Sequence, residues 1–352
     1  MKARRISIER TGGPDVLELR EIEMRAPAPG EVLVRHEAIG LNFIDTYHRS
    51  GLYPVELPSG LGSEAAGVVE AVGEEVAEFE AGGRVGYFSG PLGAYSTRRT
   101  IAADRLVRLP DGISSDIAAA AMLKGCTAEY LIERCARVEA GQTVLVHAAA
   151  GGVGSILVPW LKAIGTTVIA HSGSAEKAGI ASELGAHHSL CCSRGALAGE
   201  VRALTGGAGA AVVFDGVGAA SWKASLASLA RRRLLVTFGN ASGPVPPFSA
   251  LDLTRAGSVF VTRPTLADYT VTPHEMRASA ARLFAMIEAG SVPVRIGARF
   301  ALEQAAQAHR AIEARRTTGS TLLIALTRLI APLSAPRRLR ARHNSARRLR
   351  DR

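Results

Sequence analysis

The feature that most constrains this chain is a glycine-rich turn set between an apolar strand and a helix. Val144-Leu145-Val146 runs through His147 into Ala148-Ala149-Ala150-Gly151-Gly152-Val153-Gly154, and a helical stretch follows from about Ser155 to Ala163. Strand, turn and helix in that order are what a dinucleotide site requires. Glycine lets the backbone approach a pyrophosphate, and the free N–H groups of the helix start bind its charge. Gly151 and Gly154 take the second and third positions of the Gly-x-Gly-x-x-Gly pattern and Ala149 the first, with Gly152 and Val153 between. A glycine turn that merely packs a helix on a strand would use the same residues; the flanking elements favour the nucleotide site.

After about Gly125, apolar strands alternate with helical stretches, which implies a parallel sheet covered on both faces. The later strands are Thr167-Val168-Ile169-Ala170, Ala211-Val212-Val213-Phe214-Asp215, Leu234-Leu235-Val236-Thr237-Phe238 and Val259-Phe260-Val261-Thr262, a doubly wound α/β pattern. The first hundred residues read instead as short strands broken by Gly and Pro, such as Glu31-Val32-Leu33-Val34-Arg35, and predict a β-rich barrel or sandwich. From about His274 to Ala289 the pattern is helical, and a strand and a second helix lead to Thr321-Leu322-Leu323-Ile324, expected to return to the first domain. At 352 residues the chain can bury two cores. We divide it into a β-rich catalytic domain at 1–125, a nucleotide domain at 126–262, a return to the first domain at 263–326 and a basic tail at 327–352.

The formal charge of +10 is concentrated in that tail, where nine arginines from Arg328 to Arg352 face only Asp351. Nucleic acid or anionic lipid is therefore expected only through the tail, which has no aromatic residue for base stacking. Its two prolines and weak apolar periodicity predict a flexible or weakly helical extension, which a solvated segment without function fits as well. No stretch reaches the roughly 20 apolar residues of a membrane helix, and no apolar run follows a basic start, so no membrane is expected and the cytoplasm is the expected compartment. The four cysteines show no Cys-x-x-Cys spacing, and the adjacent Cys191 and Cys192 are expected to be two small buried residues rather than a redox pair. His147 is expected to be a structural histidine of its strand.

Cofactor choice is read at the end of the next strand, where a carboxylate would hydrogen-bond the ribose 2′-hydroxyl of NAD. Here stand His171-Ser172-Gly173-Ser174, with no acid, and Lys177 follows. Lysine can meet a 2′-phosphate as a point charge, helped by the hydroxyls of Ser172 and Ser174, so NADPH is favoured over NADH. The plainer alternative makes Lys177 a solvated helix residue.

Further blocks are Asn42-Phe43-Ile44-Asp45-Thr46-Tyr47, Arg49-Ser50-Gly51-Leu52-Tyr53-Pro54, Gly60-Leu61-Gly62-Ser63-Glu64-Ala65-Ala66-Gly67, Leu123-Lys124-Gly125, Phe238-Gly239-Asn240, Val261-Thr262-Arg263-Pro264, and Arg315 near Gly319-Ser320. Together with the glycine turn they are highly specific. From about residue 10 to residue 325 the chain resembles the zinc-independent medium-chain quinone oxidoreductases of the zeta-crystallin-like family. That resemblance implies a GroES-like β-rich catalytic domain beside a Rossmann domain, metal-free reduction of quinones by hydride transfer from NADPH, and a homodimer formed through edge strands of the nucleotide domain. It puts Asn42, Asp45 and Tyr47 at the nicotinamide end and Tyr53 along the quinone cleft. It puts Tyr130, Gly173, Ser174, Lys177, Phe238, Gly239, Asn240, Arg263 and Arg315 on the cofactor. Tyr47 is the candidate for orienting or protonating the reduced acceptor. Lys124 is expected either to touch the cofactor or to cap the hinge between domains.

Zinc alcohol dehydrogenases of the same superfamily carry a cysteine and a histidine where this chain has Asn42 and Ser63. Neither replacement competes as a zinc ligand, and no cysteine lies between Met1 and Gly125, so no metal is expected. Without a Lewis acid, hydride addition to a quinone or other conjugated carbonyl is the easier chemistry, because the acceptor spreads the charge over its π-system. Cys192 is a departure: the family often has an aromatic residue near the 2′-phosphate or adenine, and a thiol supplies no stacking, which predicts weaker NADPH binding. Two other functions stay open, reduction of the double bond of enones or alkenals, and a non-catalytic crystallin-like role in binding NADPH or RNA.

Overall fold

The computed structural model of the chain describes residues 1–325, so the expectations for the basic tail lie outside the described residues. The first part holds strands β1 (Lys2–Ile8), β2 (Glu18–Glu23), β3 (Glu31–Leu41), β4 (Ser59–Gly60), β5 (Glu64–Val72), β6 (Arg84–Tyr87), β7 (Arg98–Ala102) and β8 (Val107–Arg108), with helices α1 (Phe43–Ser50) and α2 (Ser115–Glu129). The middle alternates β9 (Thr143–His147), α3 (Gly154–Ala163), β10 (Thr167–His171), α4 (Ala175–Glu183), β11 (His188–Leu190), α5 (Arg194–Leu204), β12 (Ala210–Asp215), α6 (Trp222–Ser228), β13 (Leu229–Thr237), α7 (Ala250–Arg255) and β14 (Phe260–Thr262). Then come α8 (Leu266–Tyr269), α9 (Pro273–Glu288), β15 (Ile296–Ala301), α10 (Ala305–Glu313) and β16 (Ser320–Ile324).

The middle strands form one parallel sheet in the order β11-β10-β9-β12-β13-β14. The reason shows in β9, where Val144 and Val146 join one hydrophobic cluster and Leu145 joins another. Both faces of the strand are thus buried, which a parallel sheet between two helical layers demands. From β9 the chain winds first toward β11 and then returns to the other side at β12. In open α/β sheets the crevice beyond the strand ends at such a reversal is where ligands bind.

The second large sheet runs β15-β16-β3-β5-β6-β8, with β7 also paired to β3. β16 lies antiparallel on β3, Thr321 opposite Leu41 and Leu322 opposite Gly40. A small sheet of β2, β1 and β4 flanks it. Helix α2 ties the halves together: Ala118 to Ala121 are fully buried, and the helix packs on β3 and β5 as well as on α3 and α9. Methyl side chains leave room for neighbours on every side. Among the described residues no helix is long and apolar enough to cross a membrane.

Candidate functional site

β9 leaves its sheet through Ala148, which takes a left-handed φ of 50°, uncommon for a residue with a Cβ. The Ala148 carbonyl accepts the Gly151 N–H at 2.8 Å. A Cβ on Gly154 would collide with that same carbonyl oxygen, so α3 can begin this close to the strand only at a glycine. Gly152 lies against Lys124, whose Cδ a Cβ would meet at 3.1 Å, and the Gly319 N–H donates to the Ala150 carbonyl at 3.0 Å. Val153 precedes the first residue of α3. Three separate parts of the chain therefore meet at the turn.

At the end of β10, Ser172 is buried and its hydroxyl has no partner; the same holds for Thr237 at the end of β13. Two orphaned hydroxyls at strand ends on either side of β9 fit a polar ligand lying across the end of the sheet. Gly173 borders open space, with nothing within 4 Å of where a Cβ would stand. Ser174 caps α4, its Oγ accepting the Lys177 N–H at 3.3 Å, and Lys177 Nζ donates to the Arg315 carbonyl at 2.7 Å. Partial burial lowers the Lys177 pKa. Ser172, Gly173, Ser174, Lys177 and Arg315 are thus brought together from segments far apart in sequence. The Cys192 carbonyl accepts a hydrogen bond from His171 Nε2 at 3.1 Å. The cysteine expectation needs correcting: Cys191 is exposed and Cys192 half-buried, because they follow β11, the edge of the sheet, which has a neighbour on one side only.

At the other end of the crevice, Asn42 precedes α1 and is buried, with Nδ2 donating to Glu64 Oε2 at 2.8 Å. Lys124 Nζ donates to the same oxygen at 3.2 Å. Tyr47 and Tyr53, their rings 5.1 Å apart, reach across to the nucleotide domain. The Tyr47 hydroxyl accepts the Asn240 N–H at 2.8 Å, and the Tyr53 hydroxyl accepts from Asn240 Nδ2 and from Arg263 Nη2, both at 3.2 Å. In each case the phenol's own hydrogen is left over. Burial pushes the Tyr47 pKa up to about 12, so that hydrogen stays on at neutral pH. Gly239 has no room for a Cβ against the Gly216 carbonyl, and Phe238 lays its ring over Gly216.

Two candidates bond into the fold rather than across the cleft. Asp45 is fully buried and its Oδ2 accepts from the Asn42 N–H at 2.8 Å and from the Tyr95 hydroxyl at 2.9 Å. Burial raises its pKa to about 7. Behind Tyr95, a chain continues through His309 to Arg49 and Glu313. Tyr130 is buried and stacked on Tyr269 with ring centres 4.4 Å apart. His147 is buried too and bonds the Ser225 hydroxyl, which donates to Asp215 at 2.6 Å. Sequence reasoning missed Glu64. The available signal was an acid followed directly by Ala65-Ala66-Gly67-Val68-Val69 in a strand buried on both faces.

The family model for the alcohol dehydrogenase GroES-like domain matches residues 28–133, and that for zinc-binding dehydrogenase matches residues 152–285. A quinone oxidoreductase of Pseudomonas aeruginosa is 51% identical over 92% of this chain and 99% of its own length. A 2-haloacrylate reductase of a Burkholderia species is 41% identical over 90% of this chain and 97% of its own. The crystal structure of Escherichia coli quinone oxidoreductase complexed with NADPH superposes with a TM-score of 0.89 at 43% identity, covering 91% of this chain and 99% of that one.

Proposed function

We propose, for a chain that belongs to the quinone oxidoreductase family of medium-chain dehydrogenases/reductases, that it reduces quinones with NADPH. The observation that carries this reading is the pair of phenols, Tyr47 and Tyr53, held on Asn240 and Arg263 across the same crevice that ends in the acid-free Ser172-Gly173-Ser174 turn beside Lys177. NADPH, when bound, supplies the hydride that an electron-poor acceptor takes up. Gly151, Gly152 and Gly154 give its pyrophosphate a close approach to backbone N–H groups, and Ser172, Ser174, Lys177 and Arg315 meet the 2′-phosphate end. Tyr47 keeps its proton at neutral pH and can donate it to an acceptor oxygen on which negative charge develops.

Zinc does not fit this chain, although one matching family model is named for it. A carboxamide, Asn42, and a hydroxyl, Ser63, occupy the ligand positions, and Glu64 beside them is already paired with Lys124. Among the described residues no group of three His, Cys, Asp or Glu side chains could hold a metal. We also read the chain as a homodimer, with support from β14, the open edge of the parallel sheet, where Phe260 is exposed.

An acceptor screen tests the reading. NADPH consumption is followed with 1,4-benzoquinone, 9,10-phenanthrenequinone and simple enones, and repeated with NADH. Turnover of the quinones with NADPH in preference to NADH is expected. Faster turnover of the enones would move the reading to double-bond reduction, the neighbouring chemistry suggested by the 2-haloacrylate relative. No turnover of any acceptor would overturn it.

A further inference from the structure

Glu64 is an acid in a strand of small and apolar residues, and it is wholly buried. Such a carboxylate is costly unless paired and hydrogen-bonded. Here Oε1 accepts the Leu123 N–H of α2 at 2.7 Å, while Oε2 accepts from Asn42 Nδ2 at 2.8 Å and from Lys124 Nζ at 3.2 Å. Room for the carboxylate comes from Gly40, opposite Glu64 in the β3–β5 register: a Cβ there would collide with Oε2 and with the Ala119 carbonyl. The place is built around the acid.

The consequence falls on Asn42. Its Nδ2 donates to Glu64 Oε2 and, at 3.4 Å, toward the Gly40 carbonyl, which leaves Oδ1 as the atom able to serve a ligand. Turned over, the carboxamide would set its oxygen against the Glu64 carboxylate, acceptor against acceptor. We propose that Glu64 is a positioning residue for the reaction, locking the Asn42 carboxamide with Oδ1 as an acceptor and tying down the Lys124 ammonium, whose Cδ and Cε lie beside Gly152 of the nucleotide turn. That oxygen suits a ligand group that donates, such as an amide N–H or a hydroxyl, and repels a bare carbonyl. The inference rests on the functional reading above.

The test compares the full chain with Glu64→Gln, Asn42→Ala and the double variant. In Glu64→Gln the new carboxamide can donate as well as accept, so Asn42 is free to turn. We expect Glu64→Gln and Asn42→Ala each to lower kcat for 9,10-phenanthrenequinone by about tenfold or more, with the NADPH dissociation constant, read by nucleotide fluorescence without acceptor, kept within about threefold. The double variant should be no slower than the slower single, since both act on one group. Should Glu64→Gln not fold, Glu64→Asp takes its place: it keeps the charge, draws the carboxylate back from Asn42 and carries the same expectations. A kcat within about twofold of the wild type, or losses that multiply in the double variant, would overturn the inference. A wild-type chain that reduces no quinone overturns the functional reading and this inference with it; an active wild type beside an equally active Glu64 variant overturns this inference alone.

Discussion

Asn42, Glu64 and Lys124 at one end of the crevice are buried and bonded to one another, whereas at the other end Gly173 and Arg315 are exposed and the Ser172 hydroxyl has no partner. The first region is already internally bonded; the second is a loose set of donors and two cations, Lys177 and Arg315. Buried charges hold only in tightly defined geometry, so they suit the end where a hydride must travel between two held rings. A lysine at a partly solvated site recognises a phosphate mainly by charge and tolerates imprecise geometry. In the proposed reading, position is set at one end and recognition at the other.

Acid gives the harshest test of the buried interior of both halves. Burial lowers the pKa of His36 to about 4, of His147 to about 4 and of His309 to about 3. A group whose folded pKa lies below its unfolded value contributes stability that is present above about 6.5 and lost as pH falls toward the folded value, at up to about 1.4 kcal/mol for each pH unit that separates the two values. Asp45, with its pKa raised to about 7, acts with the opposite sign: its contribution is full below the unfolded value near 3.8 and is lost as pH rises toward 7. One carboxyl opposes three histidines, so the urea midpoint should drop between pH 6.5 and pH 4. A midpoint that stays level across that window would break the picture of histidines kept neutral by burial.

Tyr47→Phe sharpens the comparison from the chemical side: kcat should fall by roughly 100-fold while NADPH binding, followed by fluorescence, is unchanged. Gly154→Ala tests the glycine turn itself, since its methyl group would strike the Ala148 carbonyl. A titration should show NADPH bound about 10-fold to 100-fold more weakly, from an overpacking cost of about 1–3 kcal/mol. Lys177→Ala belongs to the second region and should have the smallest effect. NADPH affinity is expected to drop roughly tenfold and NADH affinity to stay put, the difference shrinking as salt is raised. Equal losses for both nucleotides would mean that Lys177 serves the fold through its bond to the Arg315 carbonyl, and the recognition half of the comparison would go.

Much of the nucleotide half could be read in advance because its signals are local. Alternating apolar strands and helices announce a parallel sheet, and the sheet found has all six strands parallel. The turn at Gly151 to Gly154 and the missing acid after β10 are each contained in a few consecutive residues. The left-handed residue at that turn is Ala148, which no glycine count could have indicated. Asp45 was legible as a notable residue but not in its direction, since its partner Tyr95 lies 50 positions away. The burial expected for Cys191 and Cys192 followed from residue type, and the sheet edge overrode it.

The order of residues alone determined the class of fold, the place of the glycine turn and the absence of an acid in Ser172-Gly173-Ser174, because each depends on periodicity or on which atoms a side chain carries. Tertiary structure alone decided which groups meet: Glu64 with Asn42 and Lys124, the two phenols with Asn240 and Arg263, Lys177 with the Arg315 carbonyl. Those contacts join segments tens to hundreds of residues apart, and only the folded chain brings such partners within hydrogen-bonding distance.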